Sequence, residues 1–84
     1  MPDRCIVTVR TQNDSFEIDL DIPSRIPFGA FRRDLLGILK TLEASEFGPW
    51  EDCSLRCKAR VFDEQDTLTG IGAFDGSILT VTKR

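Results

Sequence analysis

The chain has 84 residues, 40% of them hydrophobic and 30% charged, a balance that excludes disorder and leaves room for one domain but not two. Lys and Arg total 11 and Asp and Glu total 14, a formal net charge of −3. A nucleic-acid binder, whose affinity rests on neutralising phosphates, would need a local basic patch against that balance, so no nucleic-acid partner is expected.

Residues 4 to 11, Arg-Cys-Ile-Val-Thr-Val-Arg-Thr, are rich in β-branched side chains, and Cys5, Val7 and Val9 share one face of a strand. Gln12-Asn13-Asp14-Ser15 supplies turn chemistry. From 16 to 22, Phe16, Ile18, Leu20 and Ile22 alternate with Glu17, Asp19 and Asp21, the period of a strand with one wet face. The two segments predict a hairpin. Pro23 ends the second strand, and Pro27 suits a first helical turn. Phe28, Phe31, Leu35, Ile38, Leu39 and Leu42 then recur at three- and four-residue steps, one apolar stripe on a helix of about 15 residues. Residues 44 to 54 read as irregular, broken at Gly48-Pro49. Residues 55 to 61 read as a third strand, with Leu55, Cys57, Ala59 and Val61 inward and Arg56, Lys58 and Arg60 outward. Residues 62 to 69 read as an acidic loop. Asp75-Gly76 marks a tight turn, and 77 to 82 form the last strand, with Leu79 and Val81 inward and Ile78, Thr80 and Thr82 outward.

The order strand, strand, helix, strand, strand is an α+β plan in which a helix stripe and the apolar faces of the strands satisfy each other. Residues 1–84 read as a single domain. No stretch of about 18 apolar residues exists, so no direct membrane insertion is expected. Met1-Pro2-Asp3-Arg4, followed by Cys5 to Val9, does not read as a signal peptide, because the apolar run is short, interrupted by Thr8 and ended by Arg10. The expected location is cytoplasmic, where three cysteines, an odd number, build no disulfide framework.

With these elements in place the chain resembles ubiquitin over nearly its whole length. The hairpin, the proline-containing entry to the helix, and the spacing of Leu55, Thr67-Leu68, Ile71, Ser77, Leu79 and Val81 carry the likeness. Within that superfamily it is most similar to the small bacterial YukD/EsaB-type proteins that accompany type VII secretion systems, which share its length and lack a diglycine tail. The resemblance implies a ubiquitin-like β-grasp fold (ββαββ), with a mixed four- to five-stranded sheet and one helix packed across it. The last strand would lie parallel to the first, in the order second, first, last, third. It also implies a non-catalytic, protein-binding accessory or regulatory component of a type VII secretion system for WXG-motif proteins. Such a component needs no cofactor and docks on a cytosolic part of the machine or self-associates. The alternative is a generic ubiquitin-like interaction module in another bacterial assembly or signalling complex. The ending Thr82-Lys83-Arg84 lacks the Gly-Gly of a conjugated modifier or sulfur carrier, so neither role is expected. The positions of the ubiquitin recognition patch fall on Arg56 and Thr82, so receptors that read that patch are not expected to bind.

Candidate chemistry is sparse. The chain has no histidine, the commonest general base and metal ligand. Asp19 and Asp21 share a strand face, but a catalytic carboxylate pair needs a pocket to separate its two pKa values, and a flat wet face offers none. Cys53 and Cys57 have a zinc-compatible spacing but lack further ligands, since Cys5 faces the core. Cys5 and Cys57 read as small buried apolar residues, and Cys53 as the most exposed of the three. Asp63, Glu64 and Asp66 read as a solvated loop, having too few oxygen ligands for calcium. Trp50, with Phe47, reads as a lid over the open end of the core, or else as an interface contact. The outward sheet face would run from Glu17, Asp19 and Asp21 through Ile6, Thr8 and Arg10, then Ile78, Thr80 and Thr82, to Arg56, Lys58 and Arg60. This gradient from acidic to basic reads as a solvated face or as a docking surface, where charge steers the encounter and Ile6 and Ile78 become buried.

Overall fold

The alternating N-terminal segments form a hairpin in the computed structural model, which describes residues 3–84. Met1 and Pro2, which open the segment read above as unlike a signal peptide, lie outside the described residues. Strands β1 (Arg4–Thr11) and β2 (Glu17–Pro23) run antiparallel, with Val7 opposite Leu20 and Val9 opposite Ile18. Asp14 carries the turn at φ 59°, a conformation that Asp tolerates better than most residues with a Cβ.

Helix α1 (Phe28–Leu42) follows Pro27, which provides no side-chain cap. The first helical amides still need acceptors, and a distant loop supplies them. Phe28 N–H donates to the Asp66 carbonyl at 2.8 Å and Gly29 N–H to the Glu64 carbonyl at 3.0 Å. A Cβ at Gly29 would meet the Glu64 Cβ at 3.0 Å, so glycine lets this loop close over the helix end. The acidic segment is thus a cap for α1 as well as a wet surface. Asp66 itself accepts from the Asp63 N–H at 2.8 Å and from Arg60 at 3.0 Å. These bonds, the backbone one first, hold its carboxyl below the usual range.

The buried stripe of α1 is Phe28, Phe31, Leu35, Leu36 and Leu39. Ile38 and Leu42, expected on that stripe, are 46% and 48% exposed. The sheet ends at β2, and Ile38 overhangs that edge, bordering a groove with Leu20, Ile22, Pro23 and Ile26. Leu36, on the other flank of the helix, is covered instead.

The region expected to be irregular contains a single-turn helix, α2 (Ala44–Phe47), which buries Phe47 completely. Phe47 meets Phe16 edge-on at 5.0 Å and Trp50 at 4.9 Å, closing the core at the C-terminal end of α1. The third strand is shorter than expected. Strand β3 (Cys53–Cys57) turns back at once into β4 (Arg60–Val61), pairing Arg56 with Val61 and Cys57 with Arg60. Lys58 makes the turn at φ 57°. Because the chain reverses there, Ala59 and Val61, expected inward, are exposed. Phe62 and Leu68, in a segment expected to be a loop, are buried, and Phe28 contacts Phe62 at 5.8 Å. Leu68 opens a second single-turn helix, α3 (Leu68–Ile71), capped by the Thr67 hydroxyl, which accepts the Gly70 N–H at 2.9 Å. Gly72, at φ 91°, ends it.

Strand β5 (Ile78–Lys83) occupies the centre of the sheet. It runs parallel to β1, with Val9 opposite Leu79, and antiparallel to β3, with Leu55 opposite Val81. The five-stranded mixed sheet has the order β2-β1-β5-β3-β4. This is the expected arrangement, with the short β4 added at the edge. Cys5, Val7, Val9, Leu55, Leu79 and Val81 meet the α1 stripe in one core. Among the described residues, no helix is long and apolar enough to cross a membrane.

Candidate functional site

Register decides which side chains share the outer face of the sheet, since paired residues on neighbouring strands point the same way. One row runs Glu17, Arg10, Thr80, Arg56, Val61; a second runs Asp19, Thr8, Ile78; Asp21 stands beside Ile6, and Thr82 beside Ser54. The structure therefore brings together Ile6, Thr8, Arg10, Ile78, Thr80, Thr82 and Arg56. It adds Val61, missed because the sequence reading ran one strand through the turn, and Ser54, missed because that reading began the strand at Leu55 whereas β3 begins at Cys53. Arg60 does not belong to this face. It pairs with Cys57 in the ladder, so its side chain leaves the opposite way and binds Asp66 at 3.0 Å. Lys58 lies in the turn, at the margin of the face.

The two ends of the face differ in more than sign. At the acidic end two of the three carboxylates are held within the chain: Arg4 binds Asp21 at 3.0 Å, and the Thr8 hydroxyl donates to Asp19 at 2.7 Å. Asp19 and Asp21 are thus held by different partners and form no carboxylate pair. Arg10 leans toward Asp14 at 3.6 Å. At the other end, Arg56 and Lys58 have no carboxylate within ion-pair reach among the described residues. Ile6 and Ile78, 55% and 46% exposed, lie between the ends. The arrangement is a small apolar centre beside uncompensated positive charge, which suits a protein surface of opposite sign.

Trp50 is half-buried against Phe47 and the core, as a lid would be. It also lines a shallow cleft with Thr11, Gln12, Asn13, Glu46 and Lys83. Among the described residues, no group of three or more His, Cys, Asp or Glu side chains could hold a metal ion.

The cysteines depart from expectation. Cys53, expected to be the exposed one, is fully buried, and Cys57 is only half-covered. The reason is that β3 begins at Cys53, where the residue faces the core opposite Lys83 at the end of β5. Burial first, and then the Asp52 carboxylate, push the Cys53 thiol up to about 11 against the opposing pull of Arg32 and Arg84. Burial likewise raises the thiol of Cys5. Since the thiolate is the reactive form, iodoacetamide at roughly pH 8 is expected to modify Cys57 first. Cys5 and Cys53 should react only when the chain unfolds. Peptide mass spectrometry reads this order directly, and native labelling of Cys53 ahead of Cys57 would contradict the placement of β3.

No family model and no curated protein matches the chain. Solved structures do match. At a TM-score of 0.79 and 19% identity, 99% of the chain superposes on a component of the MycP5-free ESX-5 inner membrane complex, State II, and spans 21% of that component. The ubiquitin-like domain of the Mycobacterium tuberculosis type VII secretion system protein EccD1 matches at a TM-score of 0.75 and 20% identity, over 99% of this chain and 100% of that one. The EccD5 ubiquitin-like domain from Mycobacterium xenopi matches at 0.78 and 19%, over 99% and 97%. Strand order, register and these superpositions together show that the chain has the ubiquitin-like β-grasp fold.

Proposed function

We propose that this chain is a non-catalytic docking component of a type VII secretion machine, held to a cytosolic part of it through the outer sheet face. The observation that carries the proposal is the near-complete superposition on ubiquitin-like domains named as parts of EccD1 and EccD5. The face itself supports it. Ile6, Thr8, Arg10, Ile78, Thr80 and Thr82 share one face of the sheet, and Arg56 with Lys58 supplies charge that no carboxylate among the described residues neutralises.

The test is a comparison of exported proteins. Deleting the gene in its native host is expected to reduce export of small WXG-motif helical-hairpin proteins, and restoring the gene to recover it. An unchanged set of exported proteins would remove the secretion role and leave a general ubiquitin-like interaction module.

A further inference from the structure

The most exposed large apolar side chain among the described residues is Phe74, at 68%. It lies in the connection from α3 to β5, residues 72–77, and that connection is firmly held. Ala73 is buried, and its N–H donates to the Leu68 carbonyl at 2.9 Å. Phe74 N–H donates to the Ser77 hydroxyl at 2.9 Å, and Ser77 N–H returns a bond to the Phe74 carbonyl at 2.9 Å. The loop is also tied to β1: Ile6 N–H donates to the Asp75 carboxylate at 2.8 Å, and Gly76 N–H to the Ile6 carbonyl at 2.9 Å. An exposed aromatic on a slack loop must be ordered when it binds. Here the backbone bonds have already ordered it, which removes much of that entropy cost.

Phe74 borders a groove of about 580 Å³ whose other walls include Ile71, Ile78, Lys58 and Arg60. Arg60 is engaged with Asp66, whereas Lys58 and the neighbouring Arg56 are unpaired among the described residues. The groove is thus apolar on one side and positively charged on the other. We infer that it takes a short acidic segment of a partner protein, with an apolar side chain seated against Phe74 and Ile78 and carboxylates facing Lys58 in its wall and Arg56 beyond it on the outer sheet face. This rests on the sheet face being the docking surface, and it names the partner's chemistry. A long polyanion such as single-stranded nucleic acid suits the site less well. It would run from the basic end onto Glu17, Asp19 and Asp21, and the net charge of the chain is −3.

The test uses a random peptide library displayed on phage, panned on the full chain at near-physiological salt. Selected sequences are then made as fluorescent peptides and measured by polarisation, with a single-stranded DNA oligonucleotide as comparator. The expected winners place aspartate or glutamate beside an aromatic or large aliphatic residue. Phe74→Ala and Lys58→Glu should each weaken them about tenfold or more, with an unchanged thermal midpoint. No enrichment, winners without acids, Phe74→Ala binding within about twofold of the parent, or equal binding of the oligonucleotide would each overturn the inference. If Arg56→Glu abolishes peptide binding and Phe74→Ala does not, the sheet face stands and the loop anchor falls. If Phe74 proves essential while gene deletion leaves export unchanged, the anchor stands and the secretion role falls.

Discussion

Leu79→Asp is expected to leave no cooperative unfolding transition by circular dichroism at room temperature. Leu79 has no exposed surface and lies on the central strand, opposite Val9 on one side and Cys57 on the other. Truncating such a leucine to alanine already costs about 2–5 kcal/mol. A carboxylate there adds an unpaired charge with no water to solvate it. A domain of this size has about 5 kcal/mol of stability in total, so the folded state is lost. Leu35→Asp, on the helix side of the same core, should behave alike, since Leu35 is 3% exposed. The control is the next residue along the strand. Ile78→Asp faces outward at 46% exposure and should shift the midpoint by no more than about 4 °C. If Leu79→Asp melts like the parent, the inward and outward faces of β5 have been assigned the wrong way round.

The second large effect is on binding. Arg56→Glu combined with Lys58→Glu is expected to reduce recovery of the chain with the partner proposed above at least tenfold, with the thermal midpoint within about 4 °C of the parent. Neither side chain is held by a carboxylate among the described residues, so reversing them breaks no ion pair described for the fold. The backbone at Lys58 bears its φ of 57° with either side chain, so the exchange adds no strain. Arg60 is deliberately left alone. Reversing it would break the contact with Asp66, whose segment caps α1, and would confuse a folding defect with a binding defect. Quantitative affinity capture from the host reads the result, and the parent's recovery should fall as salt rises, as an attraction between exposed charges requires. Equal recovery of the double variant would move the interface elsewhere on the molecule.

How far the sequence could be read follows from the length of each pattern. The strands of the hairpin and β5 each show several turns of alternation against a polar background, and all three lie where period two puts them. The helix and its length of about 15 residues are legible in the stripe from Phe28 to Leu42, but its contact line is not, because Ile38 is exposed by the edge of the sheet and no helical period reports where a sheet stops. The two single-turn helices are too short for any period to register. Their effect is felt through Phe47 and Leu68, two apolar residues in segments that otherwise read as loops. The hairpin at Lys58 was hidden for a different reason. Its turn has neither Gly nor Asn, and the alternation of Leu55, Cys57, Ala59 and Val61 continues unbroken across it. That one concealed turn explains the misplacement of Arg60 and the omission of Val61 from the outer face. Phe74 carried a faint signal, an aromatic residue directly before Asp-Gly, but its exposure emerges only once Ala73 is seen to take the buried place beside it.

The parallel pair at the middle of the sheet matches Thr8 with Ile78. During synthesis the β1 segment emerges well before β5 exists, so its partner on that side is supplied only after the helix and the later strands have been made. Contacts so distant along the chain slow the search for the native state. Until β5 is made, the β1 segment lacks its native neighbour on that side, the kind of unpaired edge to which a stray strand can add.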